Sequence, residues 1–192
     1  SAIDLYLTQS ASNKVAVSAS SDEIRDHIIT EVEGGVLIIR LGENGSWFNW
    51  KKWGNYKTKA YVSIKDINAI TASGASDVHL VNRIESPKIR INLSGASDLK
   101  GDISAGVIIY DISGASDCKS SVDANTIVIT GAGASKIELA GKVDDLSVVI
   151  SGASDARLYN LNSKGAILKS SGASSIQATV TELLKANSLG AS

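Results

Sequence analysis

Hydrophobic residues alternate with polar residues along most of the chain, in short stretches separated by turns that contain glycine. Ile89, Ile91 and Leu93, for example, occupy every second position before one such turn. A period of two is typical of a β-strand that buries one face. The alternation resumes after the turn, so we expect pairs of strands joined by tight corners.

The tripeptide Gly-Ala-Ser occurs seven times and marks these corners. Successive copies begin 21, 19, 19, 19, 20 and 18 residues apart. Such a regular period indicates a repeat architecture, in which neighbouring units complete each other's core. We interpret the seven glycines as structural turn residues: Gly74, Gly95, Gly114, Gly133, Gly152, Gly172 and Gly190.

A period near 20 residues excludes most other repeat folds. Helical repeats of about 33 residues or more and propeller blades of about 40 are too long. Leucine-rich repeats have a suitable length but need a leucine and asparagine consensus that this chain lacks. We therefore predict an all-β fold, a right-handed parallel β-helix (β-solenoid) with about 20 residues per coil and an irregular N-terminal portion.

Each residue of the turn has an expected role. Glycine can adopt a positive φ, alanine fits a narrow inward site, and serine can bond the turn backbone or its stacked neighbour. The next position is mostly aspartate, as in Asp98 and Asp117, and is interrupted by Lys136. We interpret these aspartates as exposed turn residues, and a ladder of cation sites is the alternative.

The N-terminal third lacks the tripeptide but still reads as strands. Residues Ile28–Glu33 and Val36–Leu41 flank a Gly-Gly pair, which is a hairpin signal. We expect a single β-solenoid domain over residues 1–192, with irregular strands over 1–66 and regular repeats over 67–192. The irregular part would add coils or cap the open end, because capping units are atypical.

Aromatic residues are concentrated in an insertion over residues 42–56. This segment holds five of the nine aromatic residues of the chain, among glycines that indicate a loop. Clustered aromatic rings favour recognition, with sugar-ring stacking as one mode. A hydrophobic lid packed over the first coil is the alternative. The candidate ligand-binding residues are Trp47, Phe48, Trp50, Trp53 and Tyr56.

Composition narrows the function classes. The 19 Lys and Arg balance 20 Asp and Glu without a basic stripe, so nucleic acid is not an expected partner. The longest apolar run is far too short for a transmembrane segment. A single cysteine, Cys118, excludes an internal disulfide. Two histidines, His27 and His79, leave almost no material for a zinc site or a His-dependent triad. We expect no metal and no cofactor, with Cys118 buried and His79 directed outward.

Catalytic motifs are missing from the sequence. It contains no GxSxG, P-loop, GxGxxG or HExxH pattern. Polysaccharide-active β-helix enzymes need carboxylates clustered on one sheet face, and the aspartate position is the one such cluster, with Asp98 and Asp117 as its candidate pair. We therefore predict a non-catalytic binding protein. The alternatives are a polysaccharide-active β-helix enzyme and a structural envelope component that self-associates through the solenoid ends.

The repeats resemble those of a known family. The Ser-Gly-Ala-Ser-Asp turns, together with the segments 2–9, 31–39 and 61–77, are similar to the bacterial putative auto-transporter adhesin family with its head GIN domain. The insertion over 42–56 departs from the family pattern. The resemblance implies a pectin-lyase-like fold without catalytic residues.

The same resemblance also implies a location and a partner class. It implies a protein of a Gram-negative bacterium that is secreted, lies at the outer membrane or cell surface, or is periplasmic. The chain has no Met, which predicts a processed or trimmed chain. The resemblance implies a secretory or lipoprotein signal, and we expect a signal peptide to have been removed. The implied partner is a host or bacterial surface glycan or protein, and oligomers are possible.

Overall fold

The strands of the protein follow one another with little other secondary structure. The computed structural model describes residues 3–42 and 57–191. A short helix, α1 (Asp22–Arg25), begins after Ser21, whose side chain accepts a hydrogen bond from Ile24 N. The strands are β1 (Asp4–Gln9), β2 (Lys14–Ala19), β3 (Ile28–Glu33), β4 (Val36–Leu41), β5 (Thr58–Ile64), β6 (Ala69–Ala72), β7 (Asp77–Leu80), β8 (Ile84–Leu93), β9 (Asp98–Ile112), β10 (Asp117–Gly131), β11 (Lys136–Ile150), β12 (Asp155–Gly172) and β13 (Ser175–Gly190).

Parallel pairing stacks these strands into coils. β7, β9, β10, β11, β12 and β13 pair in that order, and on the facing wall β6 pairs with β8, which in turn pairs with the C-terminal part of β9. The result is a β-solenoid of about 6 turns with about 19 residues per turn. The predicted all-β solenoid is therefore confirmed.

The lumen is filled by columns of aliphatic side chains. Ile89, Ile108, Ile127 and Leu146 occupy equivalent positions in successive coils and are buried. Each such side chain contributes about 1.5–3 kcal/mol on leaving water. The period-two alternation of the sequence is thus the alternation between lumen and solvent.

The Gly-Ala-Ser turns place serine, not alanine, in the lumen. All seven glycines have φ between 77° and 92°. Ala96 is exposed, whereas Ser97 is fully buried and donates a hydrogen bond to Ser94 O at 2.9 Å. The expectation of an inward alanine was wrong, because the left-handed glycine turns the chain outward for one further residue. The serine hydroxyl then returns inward and bonds the turn carbonyl.

The N-terminal end is built differently. β1 extends the wall of β7, β5 pairs parallel with β1, and β2 pairs antiparallel with β5. The predicted hairpin forms as β3 and β4, and its residues Leu37 and Ile39 pack against the core. β6 has β8 as its one partner among the described residues.

Candidate binding face

One row of outward side chains runs along the wall formed by β5, β1, β7 and β9–β13. Parallel strands are about 4.8 Å apart, so each side chain of the row neighbours the next. We call this set the outer row. In order, it comprises Tyr61, Tyr6, His79, Lys100, Lys119, Glu138, Arg157 and Gln177.

The N-terminal end of the outer row is aromatic. The rings of Tyr6 and Tyr61 stack with centroids 5.2 Å apart, and the His79 ring stacks on Tyr6 at 4.9 Å. Lys59 Nζ lies 5.4 Å from the Tyr6 centroid, within cation–π range. His79 therefore faces outward as predicted, but it is a half-buried member of a ring stack rather than a fully solvated side chain.

The C-terminal half of the outer row is charged and centred on Glu138. Its carboxylate lies 3.4 Å from Lys119 Nζ, 3.3 Å from Lys136 Nζ and 3.6 Å from an Arg157 nitrogen. The hydrogen bond from Lys136 is the main cause that lowers the pKa of Glu138. The carboxylate is consequently held ionised as a hydrogen-bond acceptor between three donors.

A groove of about 470 Å³ lies beside this charged part. Its floor includes the small residues Gly101, Ser121 and Ala140, and long side chains stand around them. The walls thus carry ammonium and guanidinium donors, carboxylate acceptors and one phenol ring. The lining residues beyond the floor include Lys100, Asp102, Lys119, Glu138, Arg157, Tyr159 and Asn160.

A β-bulge creates one wall of the groove. Glu138 pairs with Arg157 and Ala140 pairs with Asn160, so the partner strand carries one residue more over this interval. A bulge of this kind re-aims a side chain, and bulges are over-represented beside functional sites. Here Tyr159 is 55% exposed at the edge of the groove. Sequence reasoning missed this residue, although the 20-residue interval from Gly152 to Gly172 signalled an insertion.

The aspartate row lies next to the outer row. Asp77, Asp98 and Asp117 are in register in adjacent coils, and Lys136 follows them. Within residues 3–42 and 57–191, no group of three or more His, Cys, Asp or Glu side chains is placed to hold a metal ion. The row brings carboxylates beside Lys100 and Lys119 of the groove.

Two side chains with titratable groups, Cys118 and Tyr110, lie in the lumen of the described part of the chain. Cys118 is buried, and burial raises the pKa of its thiol to about 12. Tyr110 is also fully buried, and desolvation raises the pKa of its phenol well above the usual value. No hydrogen-bond partner of the Tyr110 hydroxyl is present among the described residues. A thiol of this kind stays protonated at neutral pH, as expected for a packing residue.

The aromatic residues selected from the sequence lie outside the described residues. Trp47, Phe48, Trp50, Trp53 and Tyr56 all fall in the gap between residues 42 and 57. Their role in ligand binding therefore stays a prediction.

Comparisons with known proteins agree on the fold. No curated protein matches the chain. Similar solved structures include a putative lipid binding protein from Parabacteroides distasonis, with a TM-score of 0.78, 15% identity and coverage of 98% of this chain and 91% of that one. A putative adhesin from Parabacteroides merdae has a TM-score of 0.71 at 14% identity, with 98% and 88% covered. A putative adhesin from Bacteroides fragilis has a TM-score of 0.61 at 20% identity, with 98% and 89% covered.

These identities are low enough that the structural likeness shows the fold alone. The sequence adds a stronger finding, since the family model described as "Putative auto-transporter adhesin, head GIN domain" matches residues 1–192. None of the helices in the described ranges is long and apolar enough to cross a membrane.

Proposed function

The chain belongs to this family of putative auto-transporter adhesins, and on that premise we propose that it is a non-catalytic, adhesin-like binding protein. It acts at the cell surface, in the periplasm or after secretion from a Gram-negative bacterium. Its ligand is a surface glycan, and a surface protein is the second ligand class.

The groove beside the outer row is the observation that supports this proposal best. A glycan presents hydroxyls that both donate and accept hydrogen bonds, and the walls offer both kinds of partner. Arg157 and Lys119 donate, Glu138 and Asp102 accept, and the exposed ring of Tyr159 gives a flat surface for a sugar face. Tyr and Arg are also enriched among the few residues that carry most of the binding energy at protein–protein interfaces, which bears on the second ligand class.

The charge state of Glu138 suits a hydrogen-bond acceptor and not a general acid. A glycosidase needs a carboxylic acid whose pKa is raised, so that it can protonate the leaving group. The neighbouring cations lower the pKa of Glu138 instead. We expect no release of reducing ends or unsaturated uronides from a polysaccharide panel, and release abolished by Asp98→Asn or Asp117→Asn would favour the enzymatic alternative.

The aromatic segment is proposed as a second contact for the same kind of ligand. Its cluster of Trp47, Trp50 and Trp53 provides rings suited to stacking on sugars. If the segment binds, a triple alanine variant loses glycan binding while it stays folded. Equal binding by this variant and the wild type would leave the segment with a packing role only.

A glycan array of wild type and variants tests the groove. The variant Arg157→Ala/Tyr159→Ala removes one cation and one ring from the walls. Its matched control, Ile167→Ala/Lys169→Ala, removes an exposed aliphatic side chain and a cation from the other wall of the same strand β12. We expect binding to be lost in the first variant and kept in the control. Equal binding by both, or no array binding by the wild type, would contradict the proposal.

A further inference from the structure

The two facing walls of the solenoid end at different levels at the N-terminal end. β1 continues the wall of β7, where Leu5 lies opposite Val78 and Leu7 lies opposite Leu80. The facing wall ends at β6, whose one partner within the described ranges is β8. At the level of β1, no strand within the described ranges continues the wall of β6. The β3–β4 hairpin contributes Leu37 and Ile39 on that side without pairing to β6.

The outer edge of β6 presents backbone groups that have no strand partner. Ser94 N donates to Ala72 O at 3.0 Å, so Ala72 bonds toward β8. Alternate residues of a parallel strand bond to opposite sides. The N–H and C=O groups of Ala69 and Thr71 therefore point away from β8, along the open edge.

The adjoining edge of β8 is protected against strand pairing. The Gln9 side chain accepts a hydrogen bond from Glu85 N at 2.6 Å and donates one to Glu85 O at 2.9 Å. Pro87 follows, and it has no N–H to offer. Proteins block exposed edges in these ways to prevent unwanted pairing. No comparable block covers Ala69 and Thr71 in the described part of the chain.

A cavity of about 580 Å³ adjoins the open edge of β6. Aliphatic side chains line it from three sides: Leu5 and Leu7 of β1, Val62 of β5, and Leu37 and Ile39 of the β3–β4 hairpin. Three of the side chains around the cavity are only half-buried and keep apolar surface available: Leu5, Leu37 and Ile39. A strand added to β6 would direct every second side chain into this cavity, as β6 itself does with Ile70 and Ala72.

We propose that the open edge of β6 binds an extended peptide segment of a partner protein by strand addition. The segment pairs with Ala69 and Thr71, and its alternate aliphatic side chains fill the cavity. Main-chain hydrogen bonds give affinity in this mode of recognition, and the side-chain sites give specificity. β6 has 4 residues, so the recognised core of the peptide is equally short. The site is separate from the groove and goes beyond the proposed glycan binding.

Titration with short peptides tests this inference on the full chain. The probe alternates valine with serine, and a control peptide of the same composition has its valines adjacent. Two further probes carry N-methyl groups on alternate amides, either on the side that faces β6 or on the opposite side. We expect the alternating probe to bind. Methyl groups on the amides that face β6 should weaken this binding at least tenfold, whereas methyl groups on the opposite side should leave it unchanged.

Two variants at one position separate the backbone from the side chain. Thr71→Pro removes the edge N–H, and we expect at least tenfold weaker binding, whereas Thr71→Val keeps that N–H and binds like the wild type. Amide exchange of Ala69 and Thr71 slows when the alternating probe binds. The inference is overturned if the alternating and adjacent peptides bind equally or not at all, or if both methylated probes bind alike. The methylated probes act on the wild type, so they decide the question even if Thr71→Pro fails to fold.

Discussion

Gly95 lies directly over Gly74 in the turn column, so close that a Cβ on Gly95 would be 2.4 Å from Gly74 O. Ala96 N donates a hydrogen bond to that same oxygen at 2.7 Å. We predict that Gly95→Ala lowers the free energy of unfolding by at least about 3 kcal/mol, because strain at a positive φ adds to the clash. Chemical denaturation measures this difference.

Gly35 provides the matched control for this substitution. Its φ is 82°, but nothing lies within 4 Å of the position of its Cβ. Gly35→Ala therefore carries the conformational cost alone, about 1–2 kcal/mol. Equal losses in Gly35→Ala and Gly95→Ala would show that the stacked turns tolerate a side chain.

The buried turn serines stabilise the corners through hydroxyls that donate a hydrogen bond to the turn carbonyl and, as at Ser97 and Ser116, accept one from the serine N–H of the neighbouring coil. Ser135 Oγ donates to Ala132 O at 2.7 Å and lies in the lumen. Ser135→Ala should cost about 1 kcal/mol of unfolding free energy, measured by thermal or chemical denaturation. Ala134→Ser, at the exposed neighbouring position, should be neutral. A larger loss for Ala134→Ser than for Ser135→Ala would reverse our assignment of which residue faces inward.

Cys118 makes stability fall in alkaline solution. Its folded pKa is about 12, raised from 9.0 by burial. Between these values the unfolded chain loses the thiol proton before the folded chain does, so the free energy of unfolding decreases as the pH rises. Denaturation at several alkaline pH values should show a shallower decline for Cys118→Ala than for the wild type. Rapid reaction of the native thiol with a thiol reagent at pH 8 would contradict its burial.

Tyr110 contributes an unpaired hydroxyl to the lumen. Tyr110→Phe removes the cost of burying that group, so we expect unfolding free energy at neutral pH to stay equal or to rise by about 1 kcal/mol. Because burial raises the pKa of the phenol well above its usual value, the variant should also lose less stability above pH 10. A loss of more than about 1 kcal/mol at neutral pH would show instead that the nearby Ser120 hydroxyl bonds the phenol.

The coils could be predicted from the sequence because the intervals between copies of the Gly-Ala-Ser tripeptide give the number of residues in each coil. The position of the bulge could not, since an interval of 20 residues shows that one residue is added but not where. In the structure, the extra residue of the 20-residue interval lies within β12, where Tyr159 becomes exposed. The two extra residues of the 21-residue interval from Gly74 to Gly95 lie instead in the turn between β7 and β8. Stacking of Tyr6 on His79 was equally hidden, because the two residues are far apart in sequence and meet only through the register of β1 and β7.

Deletion of Tyr159 removes the bulge and thereby tests whether the groove that it builds binds the ligand. We expect the deletion to leave Leu158 in the lumen and to bring Asn160 opposite Ala140 without a bulge, so that the coil returns to 19 residues at the cost of one hydrogen bond, from Thr179 Oγ1 to Tyr159 O. The measurement is the dissociation constant of the deletion variant for the glycan that binds the wild type, with thermal stability recorded in parallel. We expect a folded protein that has lost no more than about 1 kcal/mol of stability with that hydrogen bond, and binding weakened by at least tenfold, about 1.4 kcal/mol. A stable deletion variant with the affinity of the wild type would contradict the proposal that the groove binds the ligand.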